Sequence, residues 1–543
     1  MQEPEPYAEV APLPPLGGEG RKIMGRTPRE LFRDGLVAAC FAYLAIFACI
    51  TLYRITWDTP SNMGWDGCLY TDEGFYSGDA ITYILEGKWL VEKEYNQSIN
   101  LPLGQWVYGY AFKIFGFGLL TLRLVNWVFM WLWLGSAFLL FNRFLGWRWA
   151  LGGVTLITLN HVTYGMSRFA LAEMPMSFFG TLAFVFAVYS KGPRAYWMAA
   201  ASALSFSLAV LTKNNVAFMA PVLAVVMILV ELDWKKILVK FVLCSAIFGA
   251  IIGAWAWFLV LPHLEEFKYF FSLNAGVTGS ADPERLASAL DSVRDGLNFG
   301  DKLLVEGLPF LLGAFFLLAG KQRFHPLFWI CAGLYGMFLL FYTYYGRIYP
   351  RFFTVSYPAL YGLVIVALSS FWRMGGWRRF PFWVLFLLAL YSAQSNARKT
   401  CRLVVEAENT YNEMAADIKK MMEGDPRQNN VVMGHNSAGL ALRTGCIPRN
   451  DRYGIVPLEE RLRLFKPGWY ICEVEMRSAP HEIYFSQNEW IYRYFDVELK
   501  GRYTLYRNYR GYQMAFYRLV PREEEMDAFA RRPRSTRSAH VPE

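Results

Sequence analysis

The chain has 543 residues, of which 55% are hydrophobic, 17% are aromatic and only 18% are charged. Since a soluble globular domain carries about 25% charged residues, this composition excludes an ordinary soluble protein. The formal net charge of +9 does not indicate a nucleic-acid-binding protein, because the Lys and Arg residues separate apolar runs instead of clustering with stacking aromatics.

Residues 1–33 are rich in Pro, Gly and charge, and we expect them to form a disordered cytoplasmic tail. The apolar run that follows is longer than the core of a cleaved signal peptide, so we interpret it as an uncleaved membrane anchor. Similar runs recur, and a helix needs roughly 17–25 apolar residues to cross a bilayer. The sequence therefore predicts an α-helical polytopic membrane protein with about eleven spans. These spans lie near residues 35–55, 119–141, 149–166, 174–190, 195–211, 215–231, 237–261, 303–320, 325–344, 352–372 and 380–396.

The predicted orientation depends on the Lys and Arg residues between the spans. Every second break carries at least two of them, for example Lys191 with Arg194 and Lys235 with Lys236. Because cytoplasmic loops are enriched in Lys and Arg, we expect the N-terminus in the cytoplasm and the region after the last span outside.

The transmembrane domain predicted for residues 34–396 has two long outer loops, at 56–118 and at 262–302. The aromatic segment 103–118 is rather short for a span, and counting it as one would reverse the sidedness of the basic residues that follow. We therefore expect it to form an interfacial helix that lies along the membrane.

Residues 397–520 differ in composition and are predicted to form a soluble extracytoplasmic α/β domain. A helical stretch that stops near Gly424 precedes apolar strand-like runs such as NNVVMGH and GYQMAFYRL. Cys446 and Cys472 lie in this domain, and one disulfide or two free thiols are both open alternatives. Residues 521–543 are expected to be a disordered tail.

Charged residues gather at the outer face of the predicted membrane domain. The first outer loop contains YTDEGFYSGDAITYILEGKW, in which Asp72 and Glu73 are adjacent acids. An acidic pair in a solvated loop does not by itself indicate a site. The short outer turns also carry charge, however, and ionisable groups beside hydrocarbon are costly and usually have partners or substrates. These further residues are Arg168, Glu173, Lys213, Arg347 and Arg351.

Five segments occur in the order DEGFYSGDA, NLPLGQWVYGYAFKIFG, SRFALAEMP, LAVLTKNN and YPRFFTVSYPALYGL. In this order the sequence resembles the polyprenyl-phosphate-dependent membrane glycosyltransferases, which include bacterial relatives of the protein O-mannosyltransferases and the aminoarabinose transferases of lipid A. The resemblance covers roughly residues 35–372. It implies a GT-C-like fold and inverting transfer of a sugar from a polyprenyl-phosphate donor to an extracytoplasmic protein, lipid or polysaccharide acceptor.

The resemblance also implies residue roles. Asp72 occupies the position of the family's catalytic acid in the first loop, where a carboxylate can take the proton of an attacking hydroxyl; Glu73 then positions the acceptor or holds Asp72. The departing lipid phosphate gains charge, which preorganised cations stabilise, and Arg suits bidentate phosphate contacts. The residues predicted to bind the donor phosphate are Arg347, Arg351, Lys213, Arg168 and Tyr345, and Glu173 is predicted to contact substrate. For Arg351, interfacial anchoring beside Tyr349 is the alternative.

The sequence departs from the family pattern at three positions. Asn100-Leu101-Pro102 stands in place of a frequent Lys-Pro-Pro, Glu173 stands where Asp is frequent, and Asn214 stands where Gly often follows the Lys. These departures bear on donor or acceptor preference more than on reaction class.

No spacing of His, Asp and Glu in the sequence predicts a metal site. Asn160 and His161 are interpreted as a helix end that is satisfied by backbone. Because some relatives of the fold use divalent ions, the need for such an ion stays open.

Two other functional classes stay open as alternatives. A secondary transporter or lipid flippase would bind its substrate near the bilayer midplane, often between internal repeats, whereas here the charges gather at one rim. A non-catalytic membrane module would bind a partner through its outer domain, which contains the basic and aromatic segment YRYFDVELKGRYTLYRNYRGY. In an enzyme, the same domain is expected to cap or feed the active site. The expected location is a bacterial plasma membrane.

Overall fold

The computed structural model describes residues 28–59, 69–231, 233–270, 326–345, 354–374, 379–426, 428–434, 436–472, 489–505 and 512–524. Its helices in chain order are α1 (Pro28–Leu52), α2 (Leu69–Phe75), α3 (Gly78–Glu86), α4 (Gln97–Asn100), α5 (Pro102–Phe115), α6 (Leu119–Leu145), α7 (Trp147–Leu159), α8 (His161–Arg168), α9 (Glu173–Val188), α10 (Ala195–Thr212), a 3₁₀ turn (Asn214–Met219), α11 (Ala220–Val230), α12 (Trp234–Trp255), α13 (Pro326–Tyr345), α14 (Tyr357–Arg373), α15 (Phe380–Val405), α16 (Thr410–Glu423), α17 (Ser437–Thr444) and α18 (Leu458–Phe465). After α12 the chain stays helical to residue 270 through a π-helical turn (Ala256–Val260) and a 3₁₀ turn (Leu261–His263).

The membrane part is an all-α bundle whose helices are apolar on nearly every face. Helix α6 packs against α7 and α9, and α9 packs against α10. Their inward faces meet in one apolar core, where Trp133 and Phe184 are buried. On the outside, large apolar side chains such as Trp197 and Phe258 are exposed. Exposed apolar surface on this scale marks contact with lipid or protein, and a helix that is apolar all round is typical of a membrane span.

The predicted count of eleven spans is not confirmed. Within the described residues, five helical segments are long and apolar enough to cross a membrane, or six if one bent pair counts as a span. Of the other predicted spans within these ranges, some coincide with shorter helices, such as α7 and α11, and one with a less apolar helix, α15. The predicted span at 303–320 lies outside the described residues.

The third predicted span, at 149–166, is broken in the structure. Helix α7 ends at Leu159, and α8 starts at His161 after an extended residue, Asn160. The side chain of Asn160 accepts a hydrogen bond from the Val162 N–H, which is the cap expected at a new helix start. Helices α8 and α9 are then bent against each other by 114°. The apolar run alone did not reveal this interruption.

The first outer loop folds into four helices, α2 to α5. Helix α3 packs against α5, and Gln105 of α5 holds the turn between α2 and α3 from both sides. Its Oε1 accepts from the Ala80 N–H at 3.1 Å, and its Nε2 donates to the Tyr76 carbonyl at 2.8 Å. Helix α5 (Pro102–Phe115) covers most of the segment expected to be an interfacial helix; its position at the membrane surface stays a prediction.

The C-terminal region contains a five-stranded sheet in the order β2-β1-β3-β5-β4. Strands β1 and β2 and strands β1 and β3 pair in parallel, whereas β3 pairs with β5 and β5 with β4 in antiparallel fashion. Helices α16, α17 and α18 complete the α/β arrangement. The sheet lies inside the predicted range 397–520 except for one residue, and α15 extends beyond the predicted boundary at 396. The strands are β1 (Val431–Met433), β2 (Ile447–Arg449), β3 (Trp469–Cys472), β4 (Phe495–Leu505) and β5 (Tyr512–Pro521).

The first outer loop and the C-terminal domain share one hydrophobic core. Ile81 of α3 and Tyr108 of α5 are buried in the same cluster as Leu440 of α17 and Trp469 of β3. Backbone bridges also join the two parts, at Asp58 with Glu408 and at Glu94 with Gly454. The C-terminal domain therefore packs against the first outer loop and is not attached only through the end of α15. Cys446 is a free, buried thiol, so the alternative of a disulfide between Cys446 and Cys472 is wrong.

Candidate active site

The two adjacent acids of the first loop lie on the short helix α2 and face different surroundings. Glu73 is fully buried, whereas the side chain of Asp72 is partly exposed. Successive residues on a helix point about 100° apart, because 3.6 residues make one turn. One carboxylate can therefore anchor the helix while its neighbour faces the solvent-accessible side.

Glu73 is anchored by a guanidinium from the membrane part. Arg123 on the second turn of α6 is fully buried, and its Nε and Nη2 reach the two Glu73 carboxylate oxygens at 2.9 and 2.7 Å. Such a bidentate pair fixes geometry as well as charge. Glu73 Oε1 also accepts from the Ala170 N–H at 2.9 Å, so the carboxylate is joined to the turn between α8 and α9.

A second carboxylate extends this network to the C-terminal domain. Asp58, which follows α1, accepts from Arg123 Nη2 at 2.5 Å and lies 3.3 Å from Nη2 of Arg443 on α17. All four side chains, those of Arg123, Glu73, Asp58 and Arg443, are buried. Two positive and two negative groups balance in charge, which is the condition for burying ions at tolerable cost. The network connects the end of α1, helix α6, helix α2 of the first outer loop and helix α17 of the sheet domain.

The backbone of α2 touches the C-terminal domain directly. A Cβ placed on Gly74 would lie 2.3 Å from the Gly439 nitrogen and 2.6 Å from the Ala438 carbonyl carbon. Only a residue without a side chain permits this approach of α2 to α17. The backbone that carries Asp72 is therefore held by the next two residues, by Glu73 through its bonds to Arg123 and by Gly74 through its close contact with α17.

A cation lies beside the same segment. Lys213, at the end of α10, is 2.7 Å from Glu173 Oε1 at the start of α9, and its ammonium lies 5.5 Å from the centre of the Tyr76 ring. Tyr76 follows α2 directly, and its N–H donates to the Asp72 carbonyl at 2.8 Å. The structure thus brings the predicted residues Asp72, Glu73, Glu173 and Lys213 into one neighbourhood.

The predicted phosphate ligand Arg168 is engaged with backbone. Its guanidinium donates to the carbonyl groups of Tyr53, Arg54 and Trp57 after α1, and to the Tyr164 hydroxyl. These bonds hold the chain where it leaves the first helix. A further role at a phosphate stays a prediction.

Three other predicted residues cannot be assessed in the same way. Arg347 and Arg351 lie outside the described residues, and Tyr345 ends helix α13, in a stretch where the structure describes the backbone and not the side chains. Their contact with a donor phosphate stays a prediction.

The prediction that Asn160 and His161 form a helix end is confirmed, but both side chains bond to other side chains and not to backbone alone. Asn160 caps α8 and donates from Nδ2 to the Tyr361 hydroxyl at 3.0 Å, while His161 pairs with Asn396 of α15 through Nδ1 at 2.6 Å. Across the described ranges, no group of three or more His, Cys, Asp and Glu side chains could hold a metal ion. The residues present therefore do not define a divalent-ion site, and no step is assigned to one.

Sequence reasoning missed the residues that hold the acids in place, namely Arg123, Asp58 and Gln105. Arg123 did give a signal, because it interrupts the apolar run LLTLRLVNW and a charge at such a position needs a partner. Asp58 and Gln105 gave none, since a polar residue in an outer loop is unremarkable until its neighbours are known.

Comparison with known proteins adds a likeness of fold. No family model matches the chain. An uncharacterized protein from Aquifex aeolicus (strain VF5) is 29% identical over 219 residues, so the match covers 39% of this chain and 43% of that protein.

Several solved structures resemble the chain over most of its length. ArnT from Cupriavidus metallidurans, bound to undecaprenyl phosphate, has a TM-score of 0.58 and 15% identity over 88% of this chain and 97% of ArnT. The arabinofuranosyltransferase AftD from Mycobacteria has a TM-score of 0.50 and 12% identity over 89% of this chain and 40% of AftD. This likeness shows that the chain shares the fold of ArnT and AftD, which is the GT-C-like fold that the sequence resemblance implied, and the apolar helices agree with an integral membrane protein.

Proposed function

We propose that the chain is an inverting membrane glycosyltransferase, which moves a sugar from a polyprenyl-phosphate donor to an acceptor outside the cytoplasm. The observation that carries the proposal is the anchoring of α2. Glu73 is held by Arg123 and Gly74 packs on α17, while the partly exposed Asp72 lies in the same short helix, four residues before Tyr76, whose ring lies 5.5 Å from the Lys213 ammonium. Preorganised charge of this kind is the main way in which enzymes lower barriers.

In the proposed reaction, an acceptor hydroxyl oxygen attacks the anomeric carbon from the face opposite the phosphate. The new C–O bond forms as the bond to the phosphate oxygen breaks, and that oxygen leaves with the electron pair. Asp72 takes the hydroxyl proton as general base. Because Glu73 is committed to Arg123 and the Ala170 N–H, its role is to position Asp72 and not to touch the substrate.

The negative charge that develops on the departing lipid phosphate requires cations. Lys213 is suited to this role because its ammonium has three donor hydrogens and its side chain retains some exposure at 12%. Glu173 would orient Lys213 through their ion pair. We assign Arg347, Arg351 and Tyr345 to the same phosphate on the resemblance alone, with Arg168 as a contributor through its remaining donor capacity.

The proposed topology places the site outside the cytoplasm, with the N-terminus inside. Basic residues cluster at the opposite ends of the helices: Arg143 ends α6, and Lys191 and Arg194 lie between α9 and α10. The enrichment of cytoplasmic loops in Lys and Arg supports this orientation. We retain the division into a transmembrane domain (34–396) and an extracytoplasmic domain (397–520), and a bacterial plasma membrane as the location.

The test is transfer by the purified full-length protein, reconstituted with radiolabelled polyprenyl-phosphate sugars and a cell-envelope extract as acceptor. The wild type should yield a labelled product, and Asp72→Asn should lower the rate at least about 100-fold, the lower range for loss of a general base. Asp496→Asn is the control, since its carboxylate lies on an exposed strand with 67% exposure. Both variants should melt at the wild-type temperature.

Substantial transfer by folded Asp72→Asn would refute the role of Asp72. Uptake of the labelled compound into sealed vesicles, with no covalent product from any donor, would refute the enzyme and favour the transporter alternative.

A further inference from the structure

A polar cavity of about 70 Å³ lies between the first outer loop and the C-terminal domain. One wall is formed by α2, α3 and the chain leading into α4, and the other by the start of α17 and the end of β2. A cavity needs roughly 10–15 Å³ of such free volume for each water molecule, so about five waters fit. This space suits a ligand about as large as one sugar ring.

Several buried polar atoms at the cavity have no hydrogen-bond partner among the residues that the structure describes. Among the lining residues the acceptors are Glu94 Oε1 and Gln97 Oε1, in side chains of 7% and 2% relative exposure. Glu94 Oε1 lies 4.0 Å from Nη1 of Arg461, beyond hydrogen-bond distance. An unsatisfied buried polar atom costs about 1–3 kcal/mol, so a ligand that donates to these oxygens would bind favourably.

The same cavity also offers donors. Nε of Arg449 is buried without a partner while its Nη2 contacts Glu86 at 2.7 Å, and the hydroxyl of Tyr95 is unpartnered and can donate or accept. An ammonium ligand could only donate and an anionic ligand could only accept. Hydroxyl groups do both, and therefore match the mixed set of unpartnered atoms.

The titration of the lining acids agrees with a neutral ligand. Burial raises the pKa of Glu94 to about 7 and that of Asp79 to about 6, with Arg461 and the Ser98 region opposing the two shifts. Near neutral pH, Glu94 is therefore only partly charged. A carboxyl group in this state can donate to a hydroxyl oxygen as well as accept from a hydroxyl.

Two aromatic side chains, Phe75 and Tyr95, line part of the cavity. The rings of Phe75 and Tyr95 stack at 5.3 Å and 9°, and Tyr453 lies edge-on to Phe75 at 5.8 Å. Phe75 and Tyr95 line the cavity together with the hydrogen-bonding groups. A saccharide carries both C–H and O–H groups and can therefore match this mixed apolar and polar lining.

We infer that this cavity binds a saccharide, and that the acceptor of the transfer reaction is a saccharide held there. The second part rests on the proposed function. Phe75 follows Asp72 by three residues in α2, and such residues have Cβ atoms about 5–6 Å apart. Asp72 is therefore within reach of an oligosaccharide that has one sugar residue in the cavity.

The experiment measures saccharide binding without any donor, by saturation-transfer-difference NMR. The full-length protein is placed in nanodiscs, because maltoside detergents carry a sugar head group, and the probes are maltose, cellobiose and mannobiose. At least one disaccharide should show saturation transfer, strongest at ring C–H protons. Gln97→Leu and Tyr95→Phe should each weaken its binding at least tenfold. Gln513→Leu, an exposed position on β5, should leave it unchanged.

Tyr95→Phe removes one oxygen and keeps the ring stack, so it tests the cavity even if Gln97→Leu does not fold. Absence of saturation for every disaccharide, equal binding by the folded variants, or displacement of the disaccharide by butylammonium would each overturn the saccharide site. Binding by a protein that transfers no sugar would leave the site standing and refute the proposed function. Transfer to a saccharide acceptor at rates unaffected by the two variants would refute only the acceptor role.

Discussion

Substituting Gly74 by Ala tests whether α2 must approach the C-terminal domain as closely as the structure has it. The added Cβ would lie 2.3 Å from the Gly439 nitrogen and 2.9 Å from the Ala438 Cβ, whereas ordinary contacts start at 3.4 Å. The nearest atoms on α17 are backbone, which cannot swing aside as a side-chain tip can. Helices α2 and α17 must therefore separate by about 1 Å, the difference between 3.4 and 2.3 Å.

Two effects follow from this displacement. Overpacking of this kind costs about 1–3 kcal/mol in the free energy of unfolding. A shift of about 1 Å in a reacting group costs on the order of 100-fold in rate, and Asp72 lies two residues from the clash. Gly74→Ala should therefore fold, melt at a lower temperature, and transfer sugar about 100-fold more slowly than the wild type.

The measurement is the rate of transfer from a radiolabelled polyprenyl-phosphate sugar, together with a thermal melt of each protein. Gly104→Ala in α5 is the matched control, because a Cβ there meets nothing within 4 Å and Ala favours a helix by about 1 kcal/mol. It should melt at or above the wild-type temperature and transfer normally. If Gly74→Ala transferred at the wild-type rate while folded, the argument that α17 sets the position of Asp72 would be wrong.

Three further predictions concern stability. Between pH 4.5 and 7 the Glu94 carboxyl keeps its proton in the folded protein, where its pKa is about 7, and loses it in the unfolded chain, where the ordinary value is 4.5; the free energy of unfolding of the wild type therefore falls over this range. Glu94→Gln removes this loss and should raise the free energy of unfolding at pH 8, and the same dependence of melting temperature on pH in both proteins would contradict this. Arg443→Met should lower the free energy of unfolding by about 3–5 kcal/mol, since it removes one cation from a buried network; a melt within 1 °C of the wild type would refute it. Lys240→Met and Glu231→Gln should each lower the free energy of unfolding by about 3–5 kcal/mol, because Lys240 is fully buried and its ammonium lies 3.2 Å from the Glu231 carboxylate. The double variant should recover most of this loss, and additive losses in a double-mutant cycle would argue against an interacting pair.

Much of the fold could be predicted from local sequence, because membrane helices are specified by uninterrupted apolar runs. Helices α6, α10 and α12 begin within a few residues of the predicted spans. The break at Asn160 could not be predicted in this way. It depends on the partners Tyr361 and Asn396, which lie more than 200 residues away in the chain.

The candidate site was predictable in its residue types and less so in their roles. Asp72 and Glu73 are chemically alike and adjacent, and only the position of Arg123 shows which of them is buried. Arg168 and Lys213 likewise look equivalent as cations beside the membrane. The first is bonded to backbone carbonyls and the second to Glu173, a difference that depends on residues far away in the chain.

The shared core of the first outer loop and the sheet domain bears on how the protein is assembled. Residues 69–115 emerge from the ribosome long before residues 410–521, yet each set supplies apolar side chains that the other must cover. During synthesis, Ile81 and Tyr108 therefore stay uncovered until the C-terminal domain has been made. A protein built in this order gains its arranged carboxylates only at the end of translation, and a chain interrupted after α15 would expose this apolar surface to other proteins.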